Sequence, residues 1–351
     1  MRLPAYLFCV SLFFWFIPTR AQTTSGTAEA LFYMVDTPES FESFQENIKN
    51  IDIVCPQTFL VSKEGVLTGT VDPRVLRLAK ENGVKVMPLI VNKGFDSQLL
   101  HDIVHNPVAR KRSITMMLEY ASQLGLDGWQ FDLEGLHITD RDDFTRYFQE
   151  TAAALHGAGL QLSAALVHAT DNVGGVSAYQ QFLYENWRAG YDLKALAEAG
   201  DFLSIMTYDQ HTRRTTPGPV AGIKWVERVV KHLLAEGVPP EKLSMGIPSY
   251  SVHWFADYTE ERGGFSNGRQ IGYATVQHLL GKYNVTPVWH EMAGCNYALW
   301  ENDGVFEYIF IEDAKSLQLK MDLMKTYNLR GFSVWVLGRE APGFWDVVAR
   351  Y

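Results

Sequence analysis

Residues 126–134 read LDGWQFDLE and place two carboxyl side chains, Asp132 and Glu134, two positions apart. Trp129, Phe131 and Leu133 alternate with Gln130, Asp132 and Glu134, the period-two pattern of a strand whose faces carry different chemistry. On one face of one strand, positions i and i+2 stand roughly 6 to 7 Å apart at the backbone. A close carboxyl pair is acid–base equipment: one group holds a proton that the other's charge makes harder to lose.

The segments on either side read as helices, over about 107–123 and 140–156. A strand between helices belongs to a parallel α/β sheet, whose faces are both usually covered. Carboxylates buried there are costly unless paired or put to use. If the sheet closes into a barrel, the polar face points inward and Glu134 stands at the C-terminal mouth, where such barrels carry their sites. The rest of the chain supports closure, because strand-like runs at 31–35, 51–55, 84–91, 160–167, 202–208, 243–247 and 331–336 alternate with helical patterns. Eight strands of this kind predict a (β/α)8 barrel. A hairpin around Lys63-Glu64-Gly65 decorates strand two. About sixty residues, 251–310, are too many for a loop and predict a small α+β insertion after strand seven, standing beside the mouth.

The length of 351 residues suits one barrel with an insertion. A net charge of -9, with no long Lys/Arg cluster, argues against nucleic acid or an anionic membrane as partner. Residues 1–21 have the form of a secretory signal peptide, with Arg2 before a short apolar run and Ala21 at the cleavage position. The expectation is therefore an exported or cell-envelope protein with no membrane-spanning segment in the mature chain 22–351, and a monomer. Cys9 leaves with the leader, so Cys55 and Cys295, on distant segments, are expected as free buried thiols rather than a disulfide. Asn284-Val285-Thr286 is a glycosylation sequon, relevant only in a eukaryotic secretory pathway.

Asp127-Gly128-x-Gln130-x-Asp132-x-Glu134 resembles the D-G-x-D-x-D-x-E signature of the family 18 glycoside hydrolases. Met206-Thr207-Tyr208-Asp209, Gly246-Ile247-Pro248-x-Tyr250 and Trp335 resemble three further family elements and come in the same order. Gly218-Pro219-Val220-Ala221 and the segment 329–340 look most like the bacterial cell-wall branch, which includes spore-cortex-lytic N-acetylglucosaminidases. The resemblance implies a hydrolase of N-acetylglucosamine glycans, of peptidoglycan or chitin type, without a cofactor. Glu134 would be the acid/base, Asp132 the partner of the substrate's acetamide, Tyr208 a donor to the acetamide oxygen and Trp335 the floor. Gln130, Asp127, Met206, Asp209 and Tyr250 would line or support the substrate site. Two carboxyls on the same side cannot straddle a sugar, which suits attack by the substrate's own acetamido oxygen. Gln130 departs from the family pattern, since an amide does not titrate, and it leaves open a silent, glycan-binding barrel.

Other readings compete at each position. Asp132 and Glu134 could be a salt-bridged cluster, Asp127 a turn residue before Gly128, Asp209 a loop cap, and Met206, Tyr208, Tyr250, Trp254 and Trp335 packing. His101 and His105 have the i, i+4 spacing of a zinc pair. Asp102 stands where a zinc protease would have Glu, and the helix should lie in the outer ring, so no metal is expected. His168 and His211 near strand ends form no ligand set.

Overall fold

The computed structural model describes residues 28–212, 215–257 and 266–351; the expected leader, 1–21, lies outside them. Eight parallel strands form the centre. They are Glu29–Met34, Ile53–Pro56 continued by Phe59–Val61, Lys85–Val86 continued by Leu89–Asn92, Gly128–Asp132, Gln161–Val167, Phe202–Met206, Leu243–Pro248 and Gly331–Trp335. The eighth strand pairs with both the seventh and the first. The first half of strand two pairs with the first half of strand three, and the second halves pair likewise, so the ring closes into a (β/α)8 barrel. Strands two and three break at Pro56 and Pro88, residues that cannot donate to a ladder. The neighbouring strand still uses the Pro88 carbonyl, which accepts from Gln130 N at 3.1 Å. The hairpin pairs Phe59–Val61 with Leu67–Gly69.

Alternation along the strands separates two cores. Outward side chains such as Trp129 and Phe131 pack under the helices; Trp129 Nε1 donates to Met117 O, and Phe131 meets Tyr147 and Phe148. Inward side chains, among them Leu31, Ile53, Cys55, Met87, Leu89 and Phe202, fill the barrel. The same sequence rule points Gln130 and Asp132 inward, where both are buried. Helix starts follow their caps: Thr37 and Asp72 each accept from the first turn, with proline next to them. Cys55 and Cys295 are free and buried. Among the described residues no helix is long and apolar enough to cross a membrane.

Residues 251–311 carry a five-stranded antiparallel sheet with one helix, Tyr273–Tyr283. Its last strand, Val305–Ile311, leads through Glu312 into the helix Ala314–Thr326. Glu312 and Lys320, both buried, form an ion pair at 2.7 Å, and Ser316 Oγ also donates to Glu312. Ser251 Oγ accepts from Glu312 N at 3.1 Å, tying the first strand of the insertion to its last. Removing one partner of such a pair strands a charge, whereas an apolar replacement of similar volume refills the space. Lys320→Ala is expected to cost about 3–5 kcal/mol in denaturant unfolding, with Lys320→Met costing clearly less; equal losses would contradict this account.

Candidate active site

Asp132 closes strand four, and Glu134 stands just beyond it at the mouth. The backbone of Glu134 is gripped from strand three. Asn92, fully buried, accepts from Glu134 N at 3.0 Å through Oδ1 and donates to Glu134 O at 2.9 Å through Nδ2. Its amide donates to Asp96 O as well. Tyr191 holds the preceding residue, its hydroxyl donating to Leu133 O at 2.9 Å. Gly135 then takes φ +79°, a left-handed turn in which a side chain would also press on Phe95 O.

Below the pair lies a polar layer. Gln130 Nε2 donates to Ser163 Oγ at 2.9 Å and Ser204 Oγ at 3.1 Å, and Ser333 Oγ continues the chain to Ser204 and Ser244. These residues sit in the barrel interior, one level beneath the mouth. Gln130 is therefore a support under Asp132 and not a wall of the substrate cavity. Asp127 likewise stands away from the cavity. It lies at the opposite end of strand four, where its carboxylate accepts from Val86 N at 2.8 Å, so it fixes the base of the barrel and touches no substrate space.

A cavity of about 330 Å³ stands above Asp132 and Glu134 and is also lined by Met206, Tyr208, Asp209, Tyr250 and Trp335. These come from strands six, seven and eight, which close packing holds together. A Cβ on Gly246 would lie 2.4 Å from Ile205 O and 3.0 Å from Tyr208 Cε1, so only glycine lets strand seven approach Tyr208. Ser249 clips this strand's end to Trp335 and Val336, with Ser249 N donating to Trp335 O at 2.8 Å. The Tyr250 hydroxyl donates to Asp209, whose backbone is left-handed at φ 58°. Trp254 is core, packed edge-on to Phe310. His168 packs on Trp225, and neither it nor His211 lines the cavity.

Tyr33, Gln57, Phe95 and Gln270 also line it, and sequence reasoning missed them. Tyr33 had a signal, as a polar aromatic at an inward position of strand one. Gln57 and Gln270 had none, since each arrives from a loop or from the insertion. Gln57 also lines a second, larger cavity of about 700 Å³ beside strands one and two, with Asp36, Phe41 and Arg74 on its walls. Gln57 is thus a wall common to the two cavities.

Burial dominates the electrostatics. It pushes Asp132 up to about 7, against the opposing pull of hydrogen bonds with Gln57 and Glu134. It raises Glu134 well above the usual carboxyl range, and the charges of Asp132 and Asp209 and the hydrogen bond to Asp132 raise it further. Both carboxyls are therefore held above the ordinary carboxyl range, Glu134 by the charge of Asp132 as well as by burial. Burial also raises Tyr208 far above its ordinary value, keeping its hydroxyl a donor. Asp132 Oδ1 and Gln130 Oε1 are buried acceptors without a partner. Two carboxyls that keep their protons to higher pH than exposed ones, both lining one cavity, are equipped to deliver a proton there and to accept a hydrogen bond.

A (β/α)8 barrel with a proton-holding carboxyl pair at its C-terminal mouth is the frame of a glycoside hydrolase. The sequence agrees: residues 44–340 match the model of "Glycosyl hydrolases family 18", and the chain belongs to that family. It is 24% identical over 337 residues to the uncharacterized glycosylase YvbX of Bacillus subtilis, covering 93% of each. With the cortical fragment-lytic enzyme of the same organism it shares 26% over 292 residues, 82% of this chain and 65% of that one. The crystal structure of a chitinase from Chromobacterium violaceum superposes with a TM-score of 0.80 at 25% identity, covering 92% of this chain and 98% of that one. The Bacillus megaterium spore cortex-lytic enzyme SleL has the same fold, with a TM-score of 0.81 at 24% identity over 92% of this chain and 73% of that one.

Two measurements check the geometry. Asn92→Ala frees the Glu134 backbone without touching the carboxyl, so it should lower kcat by about 10- to 100-fold, as misplacement of a catalytic group does, with KM little changed. An equal effect on both constants would argue against a positioning role. The folded protein holds protons that the unfolded chain releases at ordinary carboxyl values, so the pair's effect on stability worsens as pH rises from 3.8 towards about 7. Asp132→Asn removes that liability. Its Tm should exceed the parent's at pH 8, by the equivalent of a few kcal/mol at most, and the gain should vanish near pH 4.

Proposed function

We propose that this protein hydrolyses β-linked N-acetylglucosamine glycans of peptidoglycan or chitin type, with retention, using the substrate's acetamido group as nucleophile. The observation that carries the reading is the position of Asp132 and Glu134 together on the wall of one cavity, both held above the ordinary carboxyl range by burial. Glu134 gives its proton to the glycosidic oxygen as the bond to the anomeric carbon breaks. The acetamido oxygen closes on that carbon, forming an oxazolinium ion, and the aglycone departs with the proton. Asp132 accepts the acetamido N–H and offsets the positive charge, while Tyr208 donates to the acetamido oxygen. Water, deprotonated by Glu134, then attacks the same carbon and restores the acetamide.

Trp335 offers the flat apolar surface on which a sugar ring stacks, and Asp209, held by Tyr250, is available to a sugar hydroxyl. The larger cavity beyond Gln57 has room for further sugars, which supports a chain over a monosaccharide glycoside. The similarity to cortex-lytic and chitinase proteins supports a wall or chitin-type glycan, and with the leader-like residues 1–21 it supports action outside the cytoplasm, after cleavage near Ala21. No cofactor has a part in the scheme.

Turnover of an aryl β-N-acetylglucosaminide should fall by about 10²- to 10⁴-fold in Glu134→Gln, and the matching aryl β-glucoside, which lacks the acetamide, should not be cleaved. Cleavage of both glycosides at similar rates would overturn substrate assistance. A parent protein that binds chitin oligomers or muropeptides but never turns them over would remove the hydrolytic reading. Products from the two substrates, compared side by side, assign the glycan.

A further inference from the structure

His101 and His105 lie on one face of the helix Ser97–His105, with ring centroids 4.4 Å apart. Their third neighbour, Asp140, precedes the helix Arg141–Gly157 and was invisible as a partner in the sequence. His101 Nδ1 lies 2.9 Å and His105 Nε2 3.1 Å from Asp140 Oδ1, and the three potential donor atoms lie within 4.8 Å of one another. The Asp140 carboxylate is 4% exposed, and among the described residues no Lys or Arg pairs with it. Its other contact is the Thr139 hydroxyl at 3.4 Å. Three ligands on a tetrahedral ion at about 2.0–2.1 Å stand roughly 3.3 Å from each other, close to the separations from Asp140.

The arrangement extends one layer outward. Asp143 Oδ2 stands 3.4 Å from His105 Nδ1, the ring nitrogen that does not face Asp140. With an ion bound in place of the Nε2 contact to Asp140, a carboxylate beside Nδ1 would favour the proton there and leave the Nε2 lone pair to the metal. Asp102, beside His101, is engaged by Gln98 Nε2 and takes no part. The two imidazoles are about half-exposed, 47% and 41%, so an ion has an entry path.

We propose that His101, His105 and Asp140 bind a divalent transition ion, of the zinc type, with water completing a tetrahedral shell. The ion would be structural. It would join the helix after strand three, the strand whose Asn92 grips the Glu134 backbone, to the end of the 135–140 loop that leaves Glu134. Neither imidazole nor Asp140 lines the cavity above Asp132, so the bond-breaking chemistry does not use it.

Titration of the full chain with Co²⁺ should give saturable visible absorption of a tetrahedral site, displaced by one equivalent of Zn²⁺, and Zn²⁺ should raise Tm. His101→Gln and His105→Gln should each weaken binding at least tenfold. Asp143→Asn should weaken it by about 10- to 100-fold by removing the carboxylate beside His105 Nδ1, and Asp102→Asn should leave it unchanged. Far-UV circular dichroism of each variant separates lost ligation from lost folding. Absence of the cobalt spectrum in the folded parent, or its persistence in both histidine variants, would overturn the proposal. Both readouts are independent of whether any glycan is cleaved.

Discussion

The constraint on which the site depends is the burial of two neighbouring carboxyl groups in a place with little water. Asp132 is buried by the barrel below and the cavity walls above, and Glu134 is held next to it by hydrogen bonds to its own backbone. In water the two would both ionise and repel. In the barrel mouth the cost of burying charge decides the matter, and one group keeps its proton at a pH where an exposed carboxyl has long lost it. Everything around the pair maintains that condition. Asn92 fixes the distance, Tyr191 fixes the strand exit, and the tyrosines and Trp335 exclude solvent while leaving room for a sugar.

Much of this was legible in the sequence because alternation, turns and caps are local. The inward direction of Asp132 and Glu134 followed from Trp129, Phe131 and Leu133 alone, and the eight strands lie where apolar runs and helix punctuation put them. What failed was depth along the barrel axis. Gln130 and Asp127 share the motif with Asp132 and Glu134, yet Gln130 lies one two-residue step below Asp132, and Asp127 precedes the strand at its other end. Periodicity gives the face of a strand and not the level at which substrate stops. Gln57, Gln270 and Asp140 were out of reach for another reason: their roles come from loops and helices that meet only after the chain has closed.

Gln130 shows how a departure from the family pattern is absorbed. An aspartate at that depth could hold or pass a proton, whereas the amide can only orient. It does so through two serines, which turn its Nε2 towards strands five and six and leave its Oε1 unpaired beneath Asp132. The proton economy of the site is thereby confined to Asp132 and Glu134, with Asp209 acting on them through its charge.

The insertion meets the cavity through Gln270, whose Oε1 also accepts from Arg339 on the loop after strand eight. Its own sheet is closed by the buried Glu312–Lys320 pair, remote from the carboxyls. The face of the insertion carrying Val252, Trp254, Tyr308 and Phe310 is fixed on the barrel core, so its freedom to lengthen or change lies in the strand ends away from that face. The rim above the cavity can then vary in reach while the barrel wall beneath it stays fixed.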